Sequence, residues 1–147
     1  MDMLLNDEYF MRLAITEAEK ALEMDEIPIG CVIVSNDLVI AKAHNMTEIL
    51  NDVTAHAEMQ AFTAASEYLG SKYLNDCTLY VTLEPCIMCA GASFWTQIGK
   101  IVFGATDKKH SKQIDKKQLF HPKTQIIGGV LEEECIGLLQ TFFQTKR

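Results

Sequence analysis

Nowhere in this 147-residue chain do enough apolar residues follow one another to cross a bilayer, which takes about 18 or more. Positive charge is nearly missing from residues 1–99, which hold 4 basic side chains against 15 acidic ones. With a net charge of −7, that speaks on its face against a polyanionic partner. The 5 cysteines are an odd number, which argues against a disulfide framework. No linker, internal repeat or low-complexity tract interrupts the chain. The opening Met1-Asp2-Met3-Leu4-Leu5-Asn6-Asp7-Glu8 lacks the basic region and long apolar segment of a secretory signal. One cytoplasmic domain over residues 1–147 is expected, with no membrane contact. A hydrophobic content of 48% and a charged content of 22% are ordinary for such a chain.

The hydrophobic spacing alternates between two periods. From Glu8 to Glu23, Phe10, Leu13, Ala14, Ala18, Ala21 and Leu22 recur at the spacing of an amphipathic helix. Cys31-Val32-Ile33-Val34 reads as a buried strand, Ser35-Asn36-Asp37 as a turn and Leu38-Val39-Ile40-Ala41 as the returning strand. Asn45 to Val53 is polar loop, and Thr54 suits the N-cap of a helix from Ala55 to about Tyr68. Thr78 to Leu83 reads as a central strand, and Pro85 suits the start of a helix carrying Cys86, Cys89 and Phe94. Lys100 to Phe103, closed by Gly104, and a weak Gln125-Ile126-Ile127 complete the strands, and Glu132 to Phe143 is a final helix. Strands alternating with helices predict a layered α/β sandwich.

What the chain does have is concentrated. Residues 100–123 carry seven lysines (100, 108, 109, 112, 116, 117 and 123) against Asp107 and Asp115. Such a strip on an acidic protein suits a phosphate backbone, and a solvated loop suits it equally. His56-Ala57-Glu58 is followed, after 26 residues, by Pro85-Cys86-Ile87-Met88-Cys89. Cys86 and Cys89 lie three apart at a helix start, so both face one point, and a helix N-terminus favours the thiolate form. With His56 they make three ligands, leaving a tetrahedral zinc one open position for water. Glu58 decides between a structural and a catalytic metal. A structural site takes four protein ligands and has no task for a neighbouring carboxylate, whereas a hydrolytic site needs a proton carrier. The order H-x-E…P-C-x-x-C is the signature of zinc-dependent nucleobase deaminases. Cys31, Cys77 and Cys135 read as small core residues, and His44, His110 and His121 as surface or loop residues.

The runs Pro28-Ile29-Gly30-Cys31-Val32-Ile33-Val34, Thr54-Ala55-His56-Ala57-Glu58 and Leu79-Tyr80-Val81-Thr82-Leu83-Glu84-Pro85-Cys86 resemble the bacterial tRNA-specific adenosine deaminases. So do Asn45, Met88-Cys89-Ala90-Gly91-Ala92, Ile98 to Ala105 and the closing Phe142-Phe143-Gln144-Thr145-Lys146-Arg147. The resemblance covers the chain from about residue 8 onward. It implies a cytidine-deaminase-like fold, a three-layer α/β/α sandwich around a five-stranded mixed sheet. It also implies a homodimer, one zinc per subunit, and conversion of adenosine to inosine at the wobble position in the tRNA anticodon arm. Carried over residue by residue, His56, Cys86 and Cys89 match the zinc ligands and Glu58 the proton shuttle. By the same resemblance Asn45 matches the residue that hydrogen-bonds the flipped base, and Asp107 lies where the family meets the target nucleotide's surroundings. Phe143, Lys146 and Arg147 match a C-terminal segment that meets the anticodon loop. The chain departs from the pattern after Asp107, where no glycine appears until Gly128.

Two other readings compete. A deaminase of a free base or nucleoside, guanine first, needs a closed pocket and has no use for a lysine strip. A catalytically silent zinc module that binds RNA or protein needs the metal but not Glu58.

Overall fold

The computed structural model describes residues 5–108 and 115–146. Their elements follow in the order α1 (Asp7–Glu23), β1 (Gly30–Ser35), β2 (Leu38–His44), α2 (Ala57–Leu69), β3 (Cys77–Leu83) and α3 (Ile87–Thr96). Then come β4 (Lys100–Ala105), a 3-10 turn (Lys116–Gln118), β5 (Gln125–Ile127) and α4 (Glu132–Thr145). Asn6 caps α1, its side chain accepting from the Tyr9 backbone N–H at 2.9 Å, with Asp7 and Glu8 favourably placed in the first turn. Asn36 and Asp37, with φ of 51° and 62°, form the tight hairpin turn between β1 and β2.

The five strands form one mixed sheet in the order β2-β1-β3-β4-β5. β1 pairs antiparallel with both β2 and β3, whereas β3–β4 and β4–β5 are parallel. Alternation along β1 divides the core between the two faces. Cys31 and Ile33 pack with Ala57, Ala61 and Phe62 of α2 and Ala90 of α3. Val32 and Val34 pack with Phe10, Met11 and Ala14 of α1 and with Cys135 of α4. The expected α/β/α layering is therefore present, with α2 and α3 over one face and α1 and α4 over the other. Gly30 is required where α1 crosses β1, because a Cβ there would run into the backbone of Ala14 and Ala18.

Two local expectations change. Thr54 does not cap α2: His56 takes the N-cap position, and Thr54 instead donates to Asp52 Oδ1 at 2.7 Å. β4 runs through Gly104 to Ala105, which pairs with Leu83 of β3, and Gly104 leaves the room that Cys135 of α4 fills. The adjacent Phe142 and Phe143 part company, Phe142 being 8% exposed and Phe143 53%. Cys31, Cys77 and Cys135 are buried core residues as expected.

Candidate active site

The backbone assembles the site at one end of the sheet, where β3 and β4 finish. β3 runs out into Glu84-Pro85, and Cys86 becomes the N-cap of α3 with Cys89 in its first turn. His56 occupies the N-cap of α2, with Glu58 in that helix's first turn. Two helix N-termini thus deliver all four residues, each with free backbone N–H groups and the positive end of a dipole toward the same point. Gln60 fixes the approach of α2, its amide donating to the carbonyls of His44 (2.8 Å), Ala55 (3.2 Å) and His56 (3.4 Å).

The ligand atoms converge. His56 Nδ1 stands 3.6 Å from Cys86 Sγ and 3.5 Å from Cys89 Sγ, and all three atoms lie within 4.8 Å of one another. A tetrahedral zinc with Zn–N near 2.0 Å and Zn–S near 2.3 Å sets its nitrogen and sulfur ligands about 3.5 Å apart. The residues fit that ion in distance, donor type and charge, since two thiolates and a neutral imidazole balance Zn²⁺. Hydrogen bonding from Cys89, with His56 adding, pushes the Cys86 thiol down to about 4, whereas the same bond and burial push Cys89 up. The hydrogen bond with Cys86 also raises the His56 imidazole above its ordinary value.

Glu58 is 4% exposed, and burial pushes its carboxyl up to about 7. It faces two adjoining hollows. The larger, about 390 Å³, is lined by His56, Glu58, Cys86, Asp107, Leu139 and Phe143 among others. The smaller, about 120 Å³, runs from His56 and Glu58 to Asn45 and Thr47. Asn45 is held there, its amide donating to Ile27 O at 3.4 Å and its carbonyl accepting from Thr47 N at 3.3 Å. Glu26 is fully buried and accepts from the backbone N–H groups of Glu48 (3.1 Å) and Ile49 (2.7 Å), which pins the loop after Asn45.

Of the residues singled out from the sequence, His56, Glu58, Cys86, Cys89, Asn45, Asp107 and Phe143 come together around this space. Lys146 does not line it: its Nζ is 2.6 Å from Asp25 Oδ1 at the end of α1. Arg147, Lys109, His110 and Lys112 lie outside the described residues. The lysine strip is not one surface. Lys100 pairs with Asp7 at 3.4 Å, Lys116 is buried, and Lys108, Lys117 and Lys123 are exposed. Glu84 and Leu139 also line the larger hollow and were not found from sequence. Glu84 adjoins the Pro85-Cys86 step and was detectable on that ground, whereas a leucine inside a helical pattern carries no signal. Among the described residues no helix is long and apolar enough to cross a membrane.

Comparison with known proteins agrees with this geometry. Residues 5–105 match the model of the cytidine and deoxycytidylate deaminase zinc-binding region. A tRNA-specific adenosine deaminase of Aquifex aeolicus is 51% identical over 147 residues, covering 97% of each chain. A solved structure from a study of A-to-I editing by tRNA:A34 deaminases at the wobble position superposes with a TM-score of 0.83 at 41% identity. It covers 89% of this chain and 99% of its own. A guanine deaminase of Bacillus subtilis is more distant, with a TM-score of 0.67 and 37% identity over 73% of this chain and 69% of that one. The chain belongs to the zinc-binding cytidine and deoxycytidylate deaminase family and, within it, stands with the tRNA-specific adenosine deaminases.

Proposed function

We propose that this protein hydrolytically deaminates adenosine to inosine at the wobble position of tRNA, with residues 1–147 acting as one catalytic unit. The carrying observation is the buried Glu58 carboxylate beside the converging His56, Cys86 and Cys89, at the floor of a cavity open to solvent. Zinc bound by those three residues would supply Lewis-acid chemistry that makes water nucleophilic at neutral pH. Glu58 takes a proton from the attacking water and delivers it to the adenine N1. It then carries a second proton to the amino group that departs as ammonia, so water and adenosine are converted to ammonia and inosine. Its raised pKa suits a group that must both accept and give a proton near neutrality.

Asn45 offers the flipped base hydrogen bonds from the far end of the smaller hollow, while Asp107 and Phe143 flank the entrance. Lys146, exposed beside Asp25, contacts the anticodon arm, and the resemblance implies the same contact for Arg147. An anticodon loop already lacks pairing partners, so extruding one base costs little. A homodimer is part of this reading, supported by Trp95, 76% exposed, and Tyr73, 43% exposed, which a second copy would cover. A cytoplasmic location follows from a tRNA substrate.

The deciding experiment offers zinc-loaded protein a tRNA bearing a wobble adenosine alongside free guanine, adenine, cytosine and their nucleosides. Inosine in the anticodon with the free bases untouched is expected. Ammonia from guanine, the substrate of the more distant structural relative, would overturn the RNA reading and leave only the chemistry.

A further inference from the structure

We infer that Lys116 is a positioning residue for the reaction, holding Asp107 in place at the substrate entrance by bolting it to the segment that leads into the metal ligands. This rests on the reading of the larger hollow as the substrate site. Lys116 opens the 3-10 turn, whose start is fixed by Asp115 accepting from Lys117 N at 3.1 Å. Its side chain is only 3% exposed. A buried ammonium holds its place when its protons meet acceptors, and here they do. Nζ donates to Pro85 O at 3.3 Å and to Asp107 Oδ2 at 3.4 Å, and lies 3.6 Å from Glu84 Oε1.

Those acceptors are themselves tied together. Glu84 Oε1 accepts from Asp107 N at 2.9 Å, and Glu84 N donates to Ala105 O at 2.8 Å. One lysine therefore joins the end of β3, the end of β4 and the chain returning from the lysine-rich stretch. Asp107 faces the cavity that also contains Glu58 and Phe143, whereas Lys116 lines a neighbouring hollow of about 580 Å³. Lys116 thus does not line the substrate cavity itself; of the two carboxylates beside it that do, Asp107 accepts its hydrogen bond and Glu84 lies 3.6 Å away. Removing its charge would leave the Glu84 and Asp107 carboxylates, 16% and 12% exposed, together without this cation, and Asp107 would turn away. Sequence alone counts Lys116 as one of seven lysines in a strip, and its burial is what assigns it a different task.

A double-mutant cycle tests this on zinc-loaded protein with a tRNA anticodon stem-loop, comparing K116M, D107N and D107N/K116M. Zinc content and melting are recorded for each. K116M is expected to lose about thirtyfold in kcat/KM, mostly through KM, with one zinc per subunit retained. In the D107N background the same change is expected to cost no more than about twofold, because the group it acts through is already altered. K116R, which keeps the charge, is expected to recover much of the loss. Losses that multiply in the double variant, or a K116M enzyme with wild-type KM, would overturn the inference. If K116M does not fold, K116Q in both backgrounds supplies the same comparison. A wild type inactive on the stem-loop would instead overturn the substrate reading. The cycle would then be read on whichever base is turned over, with coupled losses supporting the role of Lys116 and multiplying losses ending it.

Discussion

The floor and the rim of the cavity are built in opposite ways. On the floor, His56, Glu58, Cys86 and Cys89 stand on the first turns of α2 and α3, with Glu58 and Cys89 buried. Their positions follow from where two helices begin, which the central sheet and its core fix. On the rim, Lys108 and Phe143 are exposed side chains on a loop and near a helix end, with Lys117 exposed on the neighbouring 3-10 turn. The floor performs a reaction that tolerates little displacement, since small misplacements of reacting groups cost orders of magnitude. The rim meets a polyanion, where many weak interactions add and none is indispensable. Disturbing the floor should therefore change what the protein can do, and disturbing the rim should change how much substrate it needs.

The sharpest break in that comparison is at Glu58. Glu58→Ala should lower kcat by about 10²–10⁴-fold or more while zinc content and melting stay near wild type. Metal analysis with single-turnover inosine formation checks this, and full activity would refute the mechanism.

Burial of the same carboxyl predicts a stability effect of up to about 3 kcal/mol in metal-free protein. Its folded pKa, about 7, lies above the ordinary 4.5, so the folded state holds the proton more tightly than the unfolded one. That contribution is present below pH 4.5 and is lost as pH rises through about 7. Urea titrations of chelated wild type and Glu58→Gln between pH 4 and 8 should diverge in slope across that window. Parallel curves would mean that folding leaves the Glu58 carboxyl at its ordinary pKa.

On the rim, Phe143→Ala removes an exposed ring from the entrance and should raise KM for tRNA about tenfold. That corresponds to the stacking of one base on an aromatic ring, with kcat within about twofold. A change carried by kcat instead would place Phe143 on the wrong side of the comparison. Smaller still, Lys108→Glu with Lys117→Glu should weaken tRNA binding about fivefold. The slope of log K against log salt should fall by about 1 for each phosphate that is no longer neutralised. An unchanged affinity across a salt titration would remove these lysines from the interface.

Much of this is readable from the chain alone. Helical spacing, short apolar or β-forming runs and the turn residues between them predict every strand and α-helix among the described residues. His56, Glu58, Cys86 and Cys89 stand out because metal chemistry requires those donors in that order, and ligand spacing three apart at a helix start is a local property. The N-cap of α2 is displaced by two residues from its expected place, since Thr54 has cap chemistry but its hydroxyl is taken up by Asp52. The two adjacent phenylalanines look alike in sequence, yet successive positions on α4 point 100° apart, and only the packing against α1 and β4 says which is covered.

What the sequence by itself determined is thus the chemistry: the donors, the carboxylate, the order of elements and the family they belong to. What only the tertiary structure decided is which charges reach the surface. Seven lysines in residues 100–123 are equivalent as letters. In the fold Lys100 binds Asp7, Lys116 is buried against Glu84 and Asp107, and Lys108 and Lys117 face solvent. The reason is physical: a donor's identity is carried by its own atoms, whereas its burial and its partners depend on residues distant in the chain that the sheet brings beside it.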